Sequence, residues 1–171
     1  LNDYYGGQLS QDRISYYMFE EWPASGVSLR GVPEHDLGFG SGIGNYKAQE
    51  QVLGWALGTS ITAVNYCPSV LGDPTYTCPN PSGAPMTFNE IKNLIDSGKP
   101  FMSINLKNAH ARVVDGYWEI TPQSRWVHLI DPVPANTGAC PTCTNAQWLD
   151  YNTFTNAHER ALYAAGPVNA R

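Results

Sequence analysis

Charge is what this chain has least of. Asp, Glu, Lys and Arg supply 15% of its 171 residues, against about a quarter in an ordinary soluble domain. The formal net charge is −5 and no cluster of Lys or Arg relieves it, so the electrostatic footprint of a nucleic-acid binder is missing. No apolar run approaches the length of a membrane-spanning helix, about 18 residues or more, so none is expected to cross a bilayer. No internal repeat is evident, and the length suits one domain with a sizeable core. The glycine-rich run GFGSGIG at 38–44 has no strand pattern before it and no Lys-Ser/Thr after it, which excludes a phosphate cradle. Ser41 lacks glycines two residues to either side, so it is not a nucleophile elbow. Only four histidines are present, and His35, in Pro-Glu-His-Asp, has no partners at metal-ligand spacing. Neither a cofactor nor a metal is expected. The initiator Met is also missing: the chain opens at Leu1, which suggests a processed or trimmed form; a secreted protein, extracellular or periplasmic, is expected from the cysteine usage and loop-rich composition.

What is abundant is loop. Sixteen glycines and thirteen prolines accompany a 42% apolar fraction. The four cysteines fall as Cys67 with Cys78 and Cys140 with Cys143, in Pro-containing segments. Two disulfides suit a low-charge, loop-rich secreted protein, and the local pairing of each couple is the simplest of three connectivities. A four-cysteine zinc site is the rival, weakened by the wide Cys67–Cys78 spacing. Free or redox-active thiols are a weaker alternative still, since Cys140-Pro-Thr-Cys143 does not open a helix after a strand.

Along the chain, Ile14, Tyr17 and Met18 follow Ser10 at helical spacing, and Ser10 with Gln11 and Asp12 reads as an N-cap and acidic first turn. Trp22-Pro23 ends that run, and a loop with six glycines follows over 23–46. A second helix is expected at 47–58 with Gly58 as its stop, and a strand at 60–66. Thr87-Phe88-Asn89-Glu90 is a capping box. It opens a helix whose stripe is Phe88, Ile91, Leu94 and Ile95, and Gly98-Lys99-Pro100 closes it. Residues 101–106 read as a strand. Residues 110–117 and 126–130 read as a hairpin around Thr-Pro-Gln-Ser. Residues 146–154 form another ordered segment, and the tail carries a last strand or helix. Helices first and an antiparallel sheet after them give an α+β fold.

The hairpin is the informative part. His110 opens its first strand and Asp131 follows its second, so an antiparallel pairing brings both to one end. A His oriented by a carboxylate is two thirds of a nucleophilic triad. The remaining polar residues read blandly. His128 alternates with Val127 and Leu129 and should face solvent. His158, in Ala-His-Glu-Arg, lies in a polar setting. Asp115, before Gly116 in mid-strand, reads as a turn or bulge residue.

TFNEIKNLIDSGKPF at 87–101, NAHARVVDGY at 108–117, VHLIDP at 127–132 and WLDYNTF at 148–154, in this order and spacing, resemble the papain-like cysteine peptidases, in particular the branch related to bacteriocin-processing peptidases. The resemblance spans roughly residues 8–155. It implies a papain-like fold, a helical N-terminal half packed on a C-terminal antiparallel sheet, in a single domain whose helical part runs over about 8–100 and whose sheet part runs over about 101–165. It implies peptide-bond hydrolysis with His110 as general base and acid and Asp131 fixing its tautomer. The substrate would be a peptide or protein and the enzyme a monomer. The nucleophile, a Cys at the mouth of the first helix in that family, falls on Ser10. None of the four cysteines is placed to replace it.

A helix N-terminus and an imidazolium depress a thiol pKa and sustain a thiolate; a hydroxyl gains far less. A chain with Ser10 is therefore expected to be inactive or very slow, as an engineered substitution or as a natural variant. A helper for the oxyanion is expected from Gln8, two residues upstream of Ser10, or from Asn2; the family's usual position six residues upstream holds Tyr4. Two further functions use the same groups: a non-catalytic peptide-binding pseudoenzyme, and acyl transfer of the transglutaminase type.

Overall fold

A computed structural model describes residues 4–9, 46–67, 84–105, 110–131 and 146–169. The expected first helix from Ser10, all of the loop expected over 23–46 except Tyr46, which opens a helix, and three of the four cysteines lie outside them. The described elements are α1 (Tyr46–Leu57), β1 (Ile61–Asn65), α2 (Phe88–Asp96), β2 (Phe101–Asn105), β3 (His110–Thr121), β4 (Ser124–Ile130), β5 (Ala146–Asp150), α3 (Tyr151–Thr155) and β6 (Arg160–Ala164). The six strands form one sheet in the order β1-β6-β2-β3-β4-β5, and the pairs β6/β2, β2/β3, β3/β4 and β4/β5 are antiparallel. The architecture is α+β. A strand from the part expected to be helical, β1, also joins the sheet.

The chain divides into two compact units, residues 1–62 with 164–171, and residues 63–163. In the first, α1 buries Val52, Leu53, Ala56 and Leu57. It ends as its sequence dictates. Gly58 takes φ +61, its N–H donates to the Trp55 carbonyl, and Thr59 N–H donates to that of Gly54. These are the paired bonds of a Schellman motif, which needs a left-handed residue.

The second unit is built on the capping box. Glu90 N–H donates to Thr87 Oγ1 at 3.2 Å, and Thr87 N–H donates to Glu90 Oε2 at 2.6 Å, so two otherwise orphaned amides are satisfied reciprocally. The cap fixes the start of α2, which buries Phe88 and Ile91. These two join Met86, Phe101, Val114, Val127, Leu129, Phe154 and Ala161 in the core. Charged groups tie the other side of α2 to the hairpin: Lys92 Nζ and Arg125 Nε reach Glu119 at 2.8 and 2.9 Å.

The hairpin is longer than its sequence suggested. Its strands extend to Thr121 and resume at Ser124, because the cross-strand pairs Trp118/Trp126 and Glu119/Arg125 continue the ladder to a tight Pro122-Gln123 turn. The register slips between Val114 and Gly116, which makes Asp115 the bulge residue. The expected ordered segment at 146–154 resolves into β5 and the short α3, capped by Asp150, and the tail supplies β6.

Candidate functional site

β3 begins at His110, opposite Asn105 of β2. β4 ends at Ile130, opposite Val113, and Asp131 comes next. The two positions therefore lie at one end of the hairpin. Alternation does the rest. Val127 and Leu129 are fully buried, and two residues on Asp131 is buried as well. Position 110 has the parity of Arg112 and Val114 on its own strand.

Arg112 adds a feature that the sequence did not announce. Burial draws its guanidinium below the usual arginine range, and the carboxylate charge of Asp131 opposes that pull. Asp131 therefore has a cation as an electrostatic neighbour inside the protein.

The same positive charge acts on a second histidine. His158, expected to be bland, is 2% exposed. Its Nδ1 lies 2.7 Å from Ser103 Oγ, and its ring stacks on Phe154 with centroids 4.8 Å apart. Among the described residues its Nε2 has no hydrogen-bond partner. Burial first, and Arg112 second, push its pKa down to about 3, so the ring is neutral at any physiological pH. Nothing polar in the local sequence marks this burial. The available signals are Phe154 four residues earlier and the apolar Ala-Leu-Tyr-Ala of β6 that starts three residues later.

A third histidine forms the clearest pair. His128 faces away from the core, as its alternation predicts, and its Nδ1 lies 2.5 Å from Asp115 Oδ1. The bulge sets two residues of β3, Asp115 and Gly116, against His128 of β4 on the face turned away from the core. A parity break between Val114 and Tyr117 was the sequence signal for that bulge.

Gln8 is exposed, and its Nε2 donates to the Gly6 carbonyl at 3.2 Å, a local turn contact. Ser10 and Asn2 lie outside the described residues. Cys67 is buried and is not a free thiol; Cys78, Cys140 and Cys143 lie outside them too. Among the described residues no group of three or more His, Cys, Asp or Glu is arranged to hold a metal ion, and no helix is long and apolar enough to cross a membrane.

Compared with known proteins, the chain matches no family model and no curated sequence.

Proposed function

We propose that the chain is a secreted papain-like hydrolase of peptide bonds, monomeric and without a cofactor, whose general base is His110 and whose orienting carboxylate is Asp131. One observation carries the reading: β3 and β4 bring position 110 and a buried Asp131 to the same end of one hairpin. A buried carboxylate held at a fixed place can select one imidazole tautomer and stabilise the imidazolium formed when the nucleophile loses its proton. Arg112 sets the charge environment of that carboxylate. Residue 10 supplies the nucleophile in this reading, and Gln8 assists the oxyanion. The disulfides Cys67–Cys78 and Cys140–Cys143 staple the loops of the exported protein.

In the proposed reaction residue 10 is acylated, His110 passes its proton to the leaving amine, and water deacylates the enzyme under general-base help from the same imidazole. Ser10 favours a second reading, a scaffold that binds peptides without cleaving them. The two separate in one experiment. The Ser10→Cys variant is expected to hydrolyse a mixed peptide library, with the activity lost on adding His110→Ala. Absence of turnover with Cys at position 10 supports the binding scaffold. Turnover that survives removal of His110 contradicts the hydrolase as assigned.

A further inference from the structure

The face of the sheet turned away from the core carries more aromatic surface than folding requires. Trp118 of β3 is 56% exposed and Trp148 of β5 is 49% exposed, with ring centroids 6.3 Å apart. Trp126 is the cross-strand neighbour of Trp118, so three of the chain's five tryptophans share this face. His128 lies within it, 4.9 Å from the Trp148 ring. Gly116 leaves the space above the imidazole open, since a Cβ there would approach His128 Cβ to 3.2 Å.

Among the described residues the permanent charges on this face are acidic. Among the described residues of β3, β4 and β5, its ionisable acids are Asp115 and Asp150, and no Lys or Arg accompanies them. The nearby cations Lys92 and Arg125 pair with Glu119 on the opposite face. Asp115 is shared with an imidazole, and Asp150 accepts the N–H groups of Asn152 and Thr153. Exposed indoles beside carboxylates, with no Lys or Arg among the described residues of that face, complement a basic side chain through cation–π and Coulomb attraction together. β5 is also the last strand of the sheet among the described residues. An extended chain laid along it would set alternate side chains over Trp148.

We propose that the outer face of β3, β4 and β5 is a docking site for an extended, Arg- or Lys-bearing peptide segment, held by Trp118 and Trp148 with Asp115 as the charge partner. The proposal goes beyond the hydrolase reading and stands without it, since it concerns binding on the sheet face opposite the buried Asp131.

The test uses the intact chain and two synthetic peptides, Ac-GRGRGRG-NH2 and its counterpart with citrulline for every arginine. Citrulline keeps the shape and most of the hydrogen bonds but loses the charge. Binding is followed by calorimetry and by the indole N–H resonances of the wild-type protein. The arginine peptide is expected to bind and to move the Trp118 and Trp148 resonances, and the citrulline peptide to bind at least about fivefold more weakly. Trp148→Ala is expected to weaken the arginine peptide about two- to fivefold, whereas Glu119→Gln, on the other face, leaves it unchanged. Equal binding of the two peptides, indole resonances that stay in place, or no binding of the arginine peptide would each overturn the proposal. The resonance shifts are read on the unaltered protein, so a variant that fails to fold does not decide the matter.

Discussion

Two histidines of this chain, His158 and His128, sit in different environments, and each environment dictates a different chemistry for the same ring. His158 is sealed among Phe101, Phe154 and Tyr66, where a charge has no solvent and Arg112 repels it. Its pKa of about 3 lies below the unfolded value of about 6.5. Between those two values the unfolded chain binds a proton that the folded chain refuses, so stability falls as the pH drops below about 6.5. The loss is about 1.4 kcal/mol for each pH unit until the folded ring itself titrates. Urea unfolding at pH 7 and pH 5 is expected to show about 2 kcal/mol lost to this group. His158→Gln removes that slope even if it lowers stability at both pH values. An unchanged slope in the variant would mean that other groups carry the acid sensitivity. His128, by contrast, is half-buried and held by Asp115.

At the scale of the element, most of what the chain displays follows from short local signals. The capping box and the stripe Phe88/Ile91/Leu94/Ile95 specify α2, and glycine specifies the stops of α1 and α2. The two stops share a left-handed conformation, with φ +61 at Gly58 and +69 at Gly98, but not their surroundings. A Cβ on Gly98 meets nothing within 4 Å, while one on Gly58 runs into the Asn169 carbonyl oxygen. Gly98→Ala should therefore cost only the backbone strain, about 1–2 kcal/mol. Gly58→Ala should cost clearly more, as thermal or urea unfolding of the two variants can read side by side. Equal costs would show that the tail at Asn169 yields freely.

The hairpin was legible in outline because alternation of Val127, His128 and Leu129 has only one burial solution. Its full length was not, because the Trp118/Trp126 and Glu119/Arg125 pairs that extend it are contacts across strands. The His128–Asp115 pair escaped for the same reason: it is a contact across strands that only their register reveals. Burial of His158 escaped because its flanks, Glu159 and Arg160, read as surface residues, and both are buried.

For the molecule as a whole, low charge and loop-rich composition set the class, and an α+β architecture with a six-stranded sheet meets the expectation of helices joined to an antiparallel sheet. The function rests on fewer residues. His110 and Asp131 were named from sequence, and the strand register brings their positions to one end of the hairpin. Residue 10 rests on its place in the sequence alone, at the predicted mouth of the first helix. If the proposed triad is right, a sulfur atom at residue 10 would stand beside an imidazole, and the two would hold a thiolate–imidazolium pair far below the ordinary thiol pKa of about 8.5. The decisive measurement is the pH dependence of alkylation of the Ser10→Cys variant by iodoacetamide, with and without His110→Ala. Alkylation of residue 10 is expected to stay rapid down to about pH 5 and to collapse to ordinary thiol behaviour when His110 is removed. A rate that follows an ordinary thiol titration whether or not His110 is present would contradict the proposed triad.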